Sequence, residues 1–151
     1  MMTRRMMVAA MLATTSYAAY AARAFAGDKP PATLYRNPNC DCCLAYANYL
    51  RTNGFEVTVD SKQDLETVRK QLRVPEDLEG CHVMTIGRYA VEGHVSVSTI
   101  NKLLAEKPDI IGISIPGMPS GTPGMMGPKE GPIKVYEITM NSEPPKVFAT
   151  E

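Results

Sequence analysis

Tryptophan is absent from the 151-residue chain, and aromatic residues make up only 7% of it. That leaves little material for a base-stacking platform. Net charge is absent too: 16 basic residues balance 16 acidic ones, so no basic surface advertises nucleic acid. Cysteine and histidine are scarce, at four and two residues. What remains is ordinary: 44% hydrophobic and 21% charged residues describe a soluble globular chain, long enough for one sizeable core but not comfortably for two.

The first 26 residues read as a secretory signal peptide. Arg4 and Arg5 give a positive start, Met6 to Ala22 an apolar Ala- and Met-rich run, and Ala24-Phe25-Ala26 a small-x-small cleavage site before Gly27. The run is mostly Ala and short of the roughly 20 strongly apolar residues of a membrane span. Thr3-Arg4-Arg5 is compatible with twin-arginine as well as general export. Removing 1–26 takes away Arg4, Arg5 and Arg23 and leaves 13 basic against 16 acidic residues, a net of −3. The expectation is a monomer in the periplasm, 27–151, with no membrane span after cleavage and no nucleic-acid partner. That compartment is oxidising, where four cysteines would ordinarily mean two disulfides.

Thr33 to Arg36 reads as a short strand, followed by a turn at Asn37-Pro38-Asn39. Leu44, Ala47, Leu50 and Arg51 lie on a helical period that Asn53-Gly54 closes. Phe55 to Val59 alternates as a strand, and Asp64 to Leu72 carries a helical stripe of Leu65, Val68 and Leu72. Val83 to Ile86 and Tyr89 to Glu92, joined by Gly87-Arg88, predict a β-hairpin. Ser96 to Glu106 follows as a third helix, with Val97, Ile100, Leu103 and Leu104 inward. The order β-α-β-α-β-β-α is that of an α/β thioredoxin-like core, spanning about 33–107. An extension over about 108–151 begins with a loop to Pro132, dense in Gly, Pro and Met, and continues as a strand over Ile133 to Met140 and a short edge at Pro145 to Ala149.

Cys40 stands just before the first helix, where unpaired N–H groups and the helix dipole favour a thiolate. With Cys43 it forms a C-x-x-C pair in a strand-loop-helix setting, the arrangement of a dithiol redox site. Cys42 complicates that reading, because a third thiol offers competing partners. Cys42 and Cys43 cannot readily bridge each other: Cα atoms about 3.8 Å apart fall below the usual disulfide range. A thiolate cluster makes better sense as a set of soft metal ligands, which select Cu(I), Zn or iron–sulfur clusters. In thioredoxin-like domains the loop entering the third strand faces the C-x-x-C turn and commonly carries a cis-proline. Here that stretch reads Gly80-Cys81-His82-Val83, which would set Cys81 and His82 opposite the other three cysteines.

His94, opening the third helix, reads more readily as a cap or surface residue than as a ligand. Met84 and Met140 alternate within strands and read as core. Met118, Met125 and Met126 sit in the Gly/Pro loop, where they are candidate thioether ligands for Cu(I) or anchors packing the loop down. One zinc held by three Cys and one His is the simplest competitor. It needs no methionine and leaves one cysteine over, so the surplus sulfur favours more than one metal ion or a metal that changes oxidation state. An iron–sulfur cluster is disfavoured by the compartment and the spacing.

Tyr35-Arg36-Asn37-Pro38-Asn39-Cys40-Asp41-Cys42-Cys43, Asn53-Gly54-Phe55-Glu56-Val57, Cys81-His82, Val91-Glu92-Gly93-His94-Val95 and Pro116-Gly117-Met118-Pro119 together resemble the CopG family of small exported copper-resistance proteins. The likeness runs from about Leu34 to Phe148. It implies a thioredoxin-like fold with a C-terminal extension that contributes to metal binding. It further implies a cysteine-bridged cluster of several copper ions, with a role in interconverting Cu(I) and Cu(II). By motif match, Cys40, Cys42, Cys43 and Cys81 are the implied copper ligands, joined by His82 and Met118; Met125 and Met126 rest on the loop argument alone. Periplasmic copper efflux components are the implied partners.

Three other functions fit parts of the pattern. A thiol–disulfide oxidoreductase would use Cys40 as nucleophile and Cys43 as resolving thiol. The Asn37-Pro38-Asn39-Cys40 opening is similar to that of arsenate reductases, although export and the extra cysteines speak against it. A passive copper carrier would need the same ligands without any redox step.

Overall fold

The computed structural model describes residues 29–140 and 144–151, so the expected signal peptide lies outside the described residues. Strand β1 (Ala32–Arg36) leads into helix α1 (Asp41–Thr52), then β2 (Val57–Asp60) and α2 (Leu65–Leu72). A 3₁₀ turn at Glu76–Leu78 precedes the hairpin of β3 (His82–Ile86) and β4 (Tyr89–Glu92), followed by α3 (Val97–Glu106). Strands β5 (Gly112–Ser114), β6 (Lys134–Ile138) and β7 (Val147–Thr150) complete the described elements. The β-α-β-α-β-β-α order expected from the sequence is present.

All seven strands form one mixed sheet in the order β2-β1-β3-β4-β5-β6-β7. The helical crossover makes β1 and β2 parallel, while β1/β3 and the β3/β4 hairpin are antiparallel. Strand β5 runs parallel to β4, and β6 and β7 follow antiparallel. In the hairpin turn Gly87 takes φ +57°, the left-handed backbone that a two-residue connection places on glycine.

Alternation along the strands sorts the core onto the two sheet faces. Leu34, Met84, Val91 and Ile113 pack with Tyr46, Ala47 and Leu50 of α1 and Ile100 and Leu103 of α3. The intervening Val83 and Ala90 pack with Leu65 and Val68 of α2. Each such Leu, Ile or Val contributes about 1.5–3 kcal/mol on full burial. Asp64 caps α2 by accepting from the Thr67 N–H at 2.9 Å, and Ser96 caps α3.

Three expectations need correction. The 108–132 stretch is not loop throughout, because Gly112–Ser114 forms β5. Three residues are too few to show alternation, and the strand depends on Gly112, where a Cβ would run into the Ala90 backbone. Met140 is not core: β6 ends at Ile138, and the Met140 side chain is exposed. His94 is neither a cap nor a surface residue, since Ser96 supplies the cap of α3 and His94 is buried.

The topology gathers the chemistry at one end of the sheet. β1 runs out at Arg36, which pairs with His82 at the start of antiparallel β3. β4 ends there at Glu92, opposite Val83, and β5 ends beside it at Ser114. The turn before α1, the loop before β3, the residues after β4 and the Met118 loop all leave the sheet at that end.

Candidate metal centre

Cys40 is the N-cap residue of α1, with Cys42 and Cys43 in the first helical turn. No side chain caps this helix start, so its N–H groups and dipole face the thiols. Cys43 is buried in the core, while Cys40 and Cys42 are half-buried. Cys81 reaches them from the loop before β3. Its Sγ lies 3.7 Å from Cys40 Sγ, 3.4 Å from Cys42 Sγ and 3.4 Å from Cys43 Sγ. The four sulfurs all lie within 4.8 Å of one another, as the sequence led one to expect. Cys40 and Cys43 are joined as a disulfide with a Cα–Cα separation of 5.4 Å, leaving Cys42 and Cys81 free. Burial foremost, then its hydrogen bond with Cys42, pushes the Cys81 thiol up to about 12.

Cys81 also belongs to a second group, with His82 and His94. His94 Nδ1 lies 2.6 Å from the Pro123 carbonyl oxygen. A carbonyl only accepts, so Nδ1 carries the proton and donates. The Nε2 lone pair then faces Cys81 Sγ, 3.0 Å away. An imidazole oriented by an Nδ1–H···O=C bond, with its other nitrogen directed at a soft ligand, is the arrangement of a metal-binding histidine. His82 Nδ1 is 3.6 Å from Cys81 Sγ, and its buried Nε2 has no hydrogen-bond partner among the described residues. Burial lowers the pKa of both imidazoles, and for His82 the neighbouring His94 lowers it further. Neutral rings with available lone pairs suit a metal; the orphaned His82 nitrogen and the crowded sulfurs fit a soft cation.

Tyr46 braces the two rings. Its ring centroid is 4.7 Å from that of His82 and 5.0 Å from that of His94, and its hydroxyl donates to the Val95 carbonyl at 2.7 Å. The loop before β3 is held by a buried ion pair. Arg69 meets Glu92 at 2.7 Å, Glu92 accepts the Gly80 N–H at 2.8 Å, and Arg69 donates to the Gly80 carbonyl at 2.8 Å. Burial pushes the Glu92 carboxyl up to about 7 while Arg69 pulls it down; the N–H groups it accepts belong to the ionised form.

The C-terminal extension supplies the remaining wall. Gly117 N–H donates to the Glu79 carbonyl at 2.8 Å and bridges to Gly80, bringing Met118 alongside. Met118 then borders a cleft of about 500 Å³ with Cys40, Cys42, Cys81 and Arg69. Met125 and Met126 do not line that cleft, and Met126 is 90% exposed. Gly124 packs the loop onto α1: a Cβ there would stand 2.8 Å from the Tyr46 nitrogen.

Sequence reasoning therefore assembled the four cysteines and His82, ranked His94 as a cap or surface residue ahead of a ligand, and did not single out Tyr46. The signal for His94 was present in Val91-Glu92-Gly93-His94-Val95, where a histidine stands two residues past the end of the strand that pairs with β3. Tyr46 lay outside the period traced through Leu44, Ala47 and Leu50; Leu44 is exposed and Tyr46 is wholly buried.

Residues 78–125 match the family model described as a protein of unknown function, DUF411. No curated protein matches the chain. Two solved structures, copper resistance protein CopG in Form 2 and in Form 1, are 36% and 37% identical to it. In each case the likeness covers 81% of this chain and 98% of the other, with a TM-score of 0.73. That coverage takes in nearly the whole of the relatives' length at more than a third identity, and so the chain belongs to the CopG family of copper-resistance proteins.

Proposed function

We propose that this protein is an exported copper-binding protein of the periplasm, directed there by residues 1–26, that holds several copper ions at Cys40, Cys42, Cys43 and Cys81. The observation that carries this reading is the convergence of four sulfurs within 4.8 Å of one another. Thiolates at that spacing can bridge Cu(I) ions, and soft sulfur favours that oxidation state. His94, His82 and Met118 complete the ligand set from the sides. The likeness to two solved structures of a copper-resistance protein supports copper as the cargo.

The Cys40–Cys43 bridge supports a redox role. Opened by two electrons, the pair becomes two thiolate ligands. Closing again, it releases two electrons, enough to convert two Cu(II) to two Cu(I). The test is copper stoichiometry of the reduced protein lacking residues 1–26. Several Cu(I) per chain are expected, and fewer in Cys42→Ser. An unchanged count in that variant would remove the thiolate cluster.

The same bridge favours one competing reading, thiol–disulfide exchange with protein substrates. Metal-free protein that reduces insulin disulfides at rates typical of a dedicated exchanger would support it. Inactivity in that assay leaves the copper reading alone.

A further inference from the structure

Cys42 and Cys81 are the cysteines left over by the Cys40–Cys43 bridge, and they face each other. Their Sγ atoms are 3.4 Å apart although they come from the first turn of α1 and the loop before β3. Both are half-buried, and both line the same cleft. A disulfide needs about 2.05 Å, so the gap to close is on the order of 1.4 Å, the scale of a side-chain rotation. Cys42 cannot pair with its neighbour Cys43, and the existing bridge occupies Cys40. Cys81 is thus the partner that remains.

We infer that Cys42 and Cys81 form a second disulfide, giving the protein two thiol couples side by side. The inference rests on the redox reading above and extends it. In the step, two thiols lose two protons to solvent and one S–S bond forms. The two electrons released pass to two Cu(II) ions, one each, giving two Cu(I). With both couples reduced, one chain converts four Cu(II) and ends with two disulfides. No thiolate is then left in the cluster, so the oxidation that reduces copper also dismantles the site that holds it. Reduction and release become one event. An oxidised organic disulfide takes the same electrons by exchange, first forming a mixed disulfide that the facing thiol resolves.

The direct test uses the Cys40→Ser/Cys43→Ser chain, in which Cys42 and Cys81 are the sole thiols. It is reduced, freed of metal and treated anaerobically with oxidised glutathione, or separately with Cu(II) and a Cu(I)-specific chelator. The expected result is a monomer without free thiols, lighter by about 2 Da, that yields a Cys42–Cys81 cross-linked peptide. With Cu(II), about two Cu(I) per chain should be trapped, against about four for the unsubstituted chain and about two for Cys42→Ser/Cys81→Ser. Should the variant not fold, the unsubstituted chain carries the test: full oxidation must lower its mass by about 4 Da and yield the same cross-linked peptide. Thiols that stay free, remain glutathionylated or link only between chains overturn the inference. If glutathione closes the bond and Cu(II) does not, the second couple stands and the copper-reducing role falls. If copper binds but neither oxidant closes the bond, copper binding stands and the second couple falls.

Discussion

His94 donates from Nδ1 to the Pro123 carbonyl at 2.6 Å, a contact spanning 29 residues that ties the core to its C-terminal extension. The bond fixes the tautomer and leaves Nε2 directed at Cys81. Replacing the ring with His94→Asn removes that lone pair from its position. Cu(I) affinity should fall on the order of 10–100-fold, measured by competition with a Cu(I) chelator. The metal-free variant should keep its circular dichroism spectrum. Unchanged affinity would place His94 outside the copper site.

The Pro123 carbonyl is held in turn by Gly124. Its φ of +83° suits glycine, and a Cβ would stand 2.8 Å from Tyr46 N and 3.1 Å from the Cys42 carbonyl oxygen. Gly124→Ala must therefore lift the loop from α1 and draw Pro123 away from His94. The expected cost is about 1–3 kcal/mol in denaturant unfolding, together with weaker copper binding although no ligand has changed. Gly131→Ala is the control: it also has positive φ, +105°, but its Cβ meets nothing within 4 Å. It should lose stability from backbone strain and keep its copper affinity.

How far the sequence reached differs between elements for physical reasons. The hairpin and the second and third helices were legible because two short runs across a Gly-containing link and apolar stripes at helical spacing are local signals. Strand β5 was not, because its three residues become a strand only by pairing with Ala90, Val91 and Glu92 on one side and β6 on the other. The same division runs through the site. Cys40, Cys42 and Cys43 share one turn, and Cys81 follows from the topology that sets β3 beside β1. His94 draws its orientation from Pro123, a tertiary contact with no local sequence signature. Met140 alternates in phase with the core of β6 but lies two residues past its end, beside Arg73.

Arg69 and Glu92 are both buried and meet at 2.7 Å, and together they grip Gly80. Arg69→Met strands the Glu92 carboxylate and should cost about 3–5 kcal/mol. Arg69→Met/Glu92→Leu should recover part of that loss, since removing both partners leaves no orphaned charge. Urea unfolding of the two single variants, the double variant and the parent closes the cycle. Additive costs would mean that the pair does not act as a unit. Copper binding should weaken in the single variants, because the Gly80–Cys81 segment loses its anchor.

Met118 and Met126 separate position from composition. Both are exposed, at 60% and 90%, and neither fills the core, so replacing either with Leu should change stability by no more than about 0.5 kcal/mol. Only Met118 borders the cleft with Cys40, Cys42 and Cys81. A thioether on that rim is reached by an incoming Cu(I) before the more buried thiols are, and it binds weakly enough to pass the ion inward. Met118→Leu should therefore slow the capture of Cu(I) from a chelator complex several-fold in stopped-flow measurements, and Met126→Leu should leave it unchanged. Equal slowing in both variants would show that methionine content, not the Met118 position, governs capture. Unchanged capture in Met118→Leu would mean that copper reaches the sulfurs without the thioether on the rim.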